Sequence, residues 1–169
     1  MFDCYPGDIL MYDKPPNFST HLIVDGEHLE DPGQSIYFYH VAVALDAKAK
    51  IEANEHKVAI ADIDYGNFLV FRPPISAVDV FKGLDAVKKL EGQGYDYLMI
   101  LDDTLRFATE NLVHLPDDWV ADAETHRKIC NTVVYYYLKA AGHPIPTMPR
   151  SPEDVYIWVK DWLVQGGGR

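Results

Sequence analysis

The chain has 169 residues, 48% of them apolar and 24% charged. That length fits one domain spanning 1–169 with a sizeable core, and the charge content excludes global disorder. Lys and Arg number 15 against 26 Asp and Glu, a formal net charge of −11; an acidic surface repels phosphate backbones and anionic headgroups, so no nucleic acid and no membrane surface is expected as partner.

The opening residues Met1 to Asp8 hold neither a basic n-region nor an apolar h-region, which predicts no signal peptide. No run reaches the ~18 apolar residues of a membrane span. The expected location is cytoplasmic, or on a virion if the chain is phage-encoded.

Gly7-Asp8 reads as a turn and Ile9 to Tyr12 as a short apolar strand. Phe18 to Leu29 is ambiguous, and Asp31-Pro32-Gly33 breaks the chain. Tyr37 to Leu45, aromatic and β-branched, predicts a strand; Asp46-Ala47-Lys48 serves as a tight turn, and Lys50 to Asn54 is the return strand. Val58 to Ile63 and Phe68 to Phe71 read as two more, the second ended by Arg72-Pro73-Pro74. Val80, Phe81, Leu84, Val87 and Leu90 then recur at helical spacing, stopped by Gly92 and Gly94. Leu98 to Val113 also reads as helix, and another ends at Ala140-Ala141-Gly142 with Pro144 beyond. Ser151-Pro152-Glu153-Asp154 has the form of an N-cap, a first-turn proline and early acids, opening a helix to about Leu163. Strands first and helices second predict an α+β fold.

Common chemical signatures are absent: no glycine-rich phosphate loop, no G-x-S-x-G, no His-Glu-x-x-His and no CxxC. The seven histidines are scattered. His21 and His28 alone make a poor metal site, so neither metal nor cofactor is expected. Cys4 and Cys130 do not make a disulfide framework.

What remains is one cysteine, one histidine and one carboxylate. If Asp46-Ala47-Lys48 is the hairpin loop, Leu45 faces Ala49, Ala42 faces Glu52 and His40 faces Asn54. Glu52 then becomes a diagonal neighbour of His40 on one face, whereas a loop one residue longer or shorter separates them. Ala42 and Ala44, on that face, leave room for another element to pack closely, while Val41, Val43 and Leu45 point the other way. Cys130 at the start of a helix would meet unpaired N–H groups that favour a thiolate. Bland readings compete: Cys130 also fits a buried stripe with Val133, Val134, Tyr137, Leu138 and Ala141, and a helix beginning near Asp122 or Thr125 would bury the thiol several residues inside. His40 fits a structural histidine, and Glu52 a solvated strand residue.

Seven short pieces occur in one order: Gly7-Asp8-Ile9-Leu10, His40-Val41-Ala42-Val43, Ile51-Glu52-Ala53, Phe71-Arg72-Pro73, Gly94-Tyr95-Asp96, Cys130 to Ala140-Ala141-Gly142, and Ser151-Pro152-Glu153-Asp154. In this order the chain resembles the permuted papain-like cysteine hydrolases, the NlpC-type branch with YiiX-like members, over roughly residues 7–155. Two positions depart from the pattern: Asn131-Thr132 stands where the family has Ser-Glu, and Ala42 where it has glycine.

The resemblance implies a permuted papain-like fold, with an antiparallel sheet or barrel in the N-terminal half packed on helices of the C-terminal half. It implies Cys130 as nucleophile, His40 as base and Glu52 as its orienting acid, with the Cys130 N–H in the oxyanion hole; Tyr95, Asp96 and Asn131 are the substrate-side candidates. The expected substrate is an amide, in a peptide or a peptidoglycan cross-bridge, cleaved through a thioester. Acyltransferase or lipid-directed chemistry on acyl substrates belongs to the same resemblance. The rival of another class is an inactive structural component of a larger protein assembly, such as a phage tail or capsid.

Overall fold

A computed structural model describes residues 3–13, 38–54, 56–65, 68–95, 127–149 and 151–164. The expectations for 18–29, 31–33 and 98–113, and for His21, His28 and Asp96, lie outside the described residues. In chain order the elements are β1 (Ile9–Tyr12), β2 (His40–Ala44), β3 (Ala49–Ala53), β4 (Val58–Asp62), β5 (Phe68–Phe71), α1 (Ala77–Lys88), β6 (Gly94–Tyr95), β7 (Arg127–Lys128), α2 (Cys130–Ala140) and α3 (Pro152–Val159), followed by a 3-10 turn (Lys160–Trp162). Among the described residues the fold is α+β, with a five-stranded antiparallel sheet and three α-helices.

The sheet runs β4-β3-β2-β1-β5, every neighbouring pair antiparallel. β1 sits inside it although it comes first in the chain, and all four of its residues are buried. This is why Ile9-Leu10-Met11-Tyr12 reads as a continuous apolar run rather than an alternating one. Ile9 and Met11 join Val41, Val43 and Ile51 in the main core, against Leu84 and Val87 of α1, Val133, Val134 and Tyr137 of α2, and Val155 and Val159 of α3. Leu10, Tyr12, Ala42, Ala44 and Val70 meet Cys4 and Ile63 in a smaller cluster. The helices therefore cover the Val41–Val43 side, and the small residues Ala42 and Ala44 accommodate the N-terminal segment and the β4–β5 connection.

Both outer strands are partly covered, which limits edge-to-edge association. On β4, the Val58 N–H donates to Gln93 O and the Val58 carbonyl accepts from Gly92 N–H, both at 2.8 Å. On β5, Arg72 N–H donates to Trp162 O and Val164 N–H to Val70 O, each at 2.9 Å.

The Gly-Asp and Arg-Pro pieces meet at one end of the sheet. Pairing of Ile9 with Phe71 puts Asp8 beside Arg72. The Arg72 guanidinium donates to both Asp8 oxygens, each at 2.8 Å, and the Tyr5 N–H donates to the same carboxylate at 2.8 Å. A bidentate, charge-assisted pair of this kind is among the stronger polar contacts, and it satisfies a carboxylate that is fully buried.

One expectation for α1 is corrected. Phe81 is 66% exposed, and the inward face is Gly83, Leu84 and Val87. The Tyr137 ring lies against the backbone of Gly83, where the glycine leaves room for it. The Tyr137 hydroxyl end reaches Gly7, whose φ of 86° also excludes most side chains.

A Cβ at position 83 would stand 2.6 Å from the Tyr137 ring and 2.7 Å from the Tyr137 carbonyl oxygen. The ring can shift, but the carbonyl is fixed in α2. Overpacking costs about 1–3 kcal/mol, and alanine regains about 1 kcal/mol of helix propensity. Gly83→Ala is therefore expected to lower stability by up to about 2 kcal/mol, read as a lower urea midpoint at unchanged slope.

Candidate active site

The site begins with a turn. Asp46 Oδ1 accepts from the N–H of Lys48 at 2.7 Å and of Ala49 at 2.9 Å, a side-chain turn of the kind Asp favours. Leu45 N–H donates to Ala49 O at 2.8 Å and closes the hairpin. The strands then pair Val43 with Ile51 and Ala44 with Lys50, the register expected from the sequence. His40, Lys50 and Glu52 consequently share a face.

His40 is the first residue of β2, directly opposite Tyr12 of β1. Its Nε2 lies 2.8 Å from Glu52 Oε2. The ring is flanked by Tyr39, stacked at 6.2 Å between centroids, and by Tyr12 at 5.5 Å. These walls leave 17% of its side chain exposed.

Cys130 is the first residue of α2. Ile129 before it is extended, with φ −101° and ψ 168°, and no side chain caps the helix. The helix that carries the thiol therefore starts at Cys130 itself. The sulfur thus stands at an uncapped N-terminus, where backbone N–H groups and the helix dipole favour negative charge. Cys130 is buried in the main core with Val133, Val134 and Tyr137, as the helix stripe also allowed, and acts on the protonation of the His40 ring. Helix and histidine meet because each stands at the beginning of its element, at one end of the sheet.

The substrate-side candidates are placed unequally. Tyr95 stands in β6, paired with Lys128 of β7 two residues before the nucleophile position. Asn131 is 1% exposed; its amide N–H donates to Pro149 O at 2.7 Å, and its Oδ1 lies 3.8 Å from Cys130 Sγ. Its polar groups are directed at the chain. Among the described residues, no group of three or more His, Cys, Asp or Glu is arranged to hold a metal, and no helix is long and apolar enough to cross a membrane. Cys4 is a buried free thiol in the smaller cluster, and Cys130 is likewise unbridged.

Lys50 was not anticipated. Its Nζ lies 2.6 Å from Glu52 Oε2, the same oxygen that meets His40, and 4.5 Å from the centre of the Tyr12 ring. Period two from Glu52 would have put it on this face. The contact with Tyr12 depends on a strand order that the sequence does not state.

Burial opposes the charged imidazole, but hydrogen bonds to Cys130 and Glu52 outweigh it and push His40 up to about 9. Burial likewise opposes the Glu52 carboxylate, and the His40 hydrogen bond with the charges of His40 and Lys50 brings it down to about 2. Burial, aided by the Glu52 charge, pushes the phenol of Tyr39 up to about 12 and that of Tyr12 higher still.

Because the His40 value stands above its ordinary 6.5, its pairing contributes stability in full below pH 6.5 and loses it as pH rises through about 9. Because Glu52 stands below its ordinary 4.5, its contribution is present above pH 4.5 and is lost as pH falls toward about 2. The windows overlap between pH 4.5 and 6.5, where the advantage of the native chain over Glu52→Gln should be largest. In an NMR titration the His40 ring is expected to turn over near pH 9, and at lower pH in Glu52→Gln; a midpoint at or below 6.5 in the native chain would contradict the pairing.

Compared with known proteins, the chain matches no family model, no curated protein and no solved structure.

Proposed function

We propose that the chain is a cysteine hydrolase of permuted papain-like fold that cleaves an amide through a thioester. The observation that carries this reading is the imidazole of His40 paired with the Glu52 carboxylate at 2.8 Å, with Cys130 at the uncapped start of α2 supporting it. Nucleophile, base and orienting acid are the minimum set for acyl transfer.

In this reading His40 takes the thiol proton and Cys130 Sγ attacks the substrate carbonyl. The oxyanion meets the Cys130 backbone N–H, and no intrahelical bond competes for that N–H. His40 then protonates the leaving amine as the C–N bond breaks, leaving a thioester. Water, deprotonated by His40, attacks the thioester; the acid departs and the thiol is restored. Glu52 keeps Nε2 occupied so that Nδ1 serves the sulfur throughout. The small residue Ala42 and the closed hairpin support this geometry without entering the chemistry. A peptide or peptidoglycan cross-bridge is the favoured amide, with acyl transfer to other acceptors as the nearest related activity.

One contact favours a second reading, a scaffold within a larger assembly that keeps the site without turnover. Asn131 Oδ1 near the sulfur is an acceptor, and its orientation is fixed by the bond from its amide to Pro149. An acceptor there suits a neutral S–H better than a thiolate.

An activated acyl probe separates the two. It should label the native chain on Cys130 and leave Cys4 unlabelled. Cys130→Ala should abolish labelling, and His40→Ala should slow it by roughly 10²- to 10⁴-fold, the usual worth of a positioned general base. Unchanged labelling of Cys130→Ala would refute the nucleophile assignment. Iodoacetamide alkylation of Cys130 at one rate in native and His40→Ala chains would favour the scaffold.

A further inference from the structure

We propose that Lys50 is a positioning residue of this site, holding the Glu52 carboxylate against His40 Nε2 by binding the oxygen that faces the ring. The proposal rests on the reading of His40 as the base.

Lys50 Nζ and His40 Nε2 converge on Glu52 Oε2 at 2.6 and 2.8 Å. The side chains of Lys50 and Glu52 are each 10% exposed. A lysine this buried is uncommon unless paired, and replacing a buried ion pair by apolar residues is often neutral or stabilising. Stability alone is therefore a weak reason for an ammonium here. The surroundings fit a fixed ammonium: it lies over the Tyr12 ring at 4.5 Å, a cation–π contact strengthened by desolvation. Ala44 stands directly opposite Lys50 across the strands, and the same register sets Ala42 opposite Glu52. The two small residues leave the space that the paired side chains occupy.

A carboxylate with a single ionic partner can rotate with that partner or turn toward water. With Lys50 on the same oxygen, Glu52 Oε2 is held in the position that orients the imidazole. The groups facing this pair are Tyr12 from β1 and His40 at the start of β2, with Tyr39 stacked on the His40 ring and the charges of Asp13 and Asp64 acting on the tyrosines.

Two effects of Lys50 have opposite signs and can be told apart. If it acts only as a nearby positive charge, its removal raises the His40 midpoint, since like-charge repulsion is relieved. If it holds Glu52 in place, its removal frees the carboxylate, and the midpoint falls toward that of Glu52→Gln. The test is an NMR titration of the His40 ring in the full chain carrying Lys50→Met, Glu52→Gln and both. The expected result is a fall of about 1–3 pH units in Lys50→Met, with no further change when Lys50→Met is added to Glu52→Gln. Lys50→Arg, which retains the charge and a donor, should recover part of the shift and stands in if Lys50→Met does not fold. A rise, an unchanged midpoint, or additive effects of the two substitutions would overturn the proposal. Because the readout is a ring titration, its failure is distinct from failure of the hydrolase reading, which shows as native-chain Cys130 that takes no acyl label.

Discussion

Asp46 ties down two backbone N–H groups in the turn between β2 and β3, and the turn decides which residues of those strands share a face. Side chains alternate along a strand, so a slip of one residue would send Glu52 and Lys50 to the helix side and leave His40 without its carboxylate. The site is therefore encoded less by its reactive groups than by a turn that is itself exposed and takes no part in any chemistry. The second constraint is the extended Ile129. It starts α2 at the cysteine and so converts an ordinary core-facing position into a helix terminus.

Much of this was legible in the sequence, for identifiable reasons. The hairpin register followed from period-two alternation and a three-residue loop. The end of α2 followed from Gly142, and the start of α3 from Ser151 and Pro152, because caps and breakers act locally. Strand order was not legible: β1 enters the sheet between β2 and β5, and nothing in four apolar residues names their neighbours. The same non-local gap hid Tyr12 from His40 and Lys50. Helical spacing registers large residues and overlooks Gly83, whose role depends on a tyrosine more than fifty positions away. Asn131 was read from its place beside the cysteine. The structure shows that adjacency along a helix turns successive side chains about 100° apart, which directs this one to Pro149.

The chain carries a strong excess of acidic residues, yet the centre of its candidate site gathers an ammonium and an imidazole about one carboxylate. That arrangement favours the ionised carboxylate in a place where burial opposes it. A carboxylic acid there would compete for the imidazole as a donor; a carboxylate can only accept. The cluster thus fixes the direction of the hydrogen bond, with His40 Nε2 donating to Glu52.

Tyr137 sits two turns along α2 from Cys130, about 10 Å at helical rise, seated between Gly7 before β1 and Gly83 of α1. This works as a mechanical detent. A helix free to roll or slide would carry its first residue with it, whereas one ring wedged into two notches holds both rotation and translation. Aim of the sulfur is consequently governed from the far side of the core, and random mutagenesis that selects for altered reactivity should return changes at these notches as readily as beside the reacting atoms.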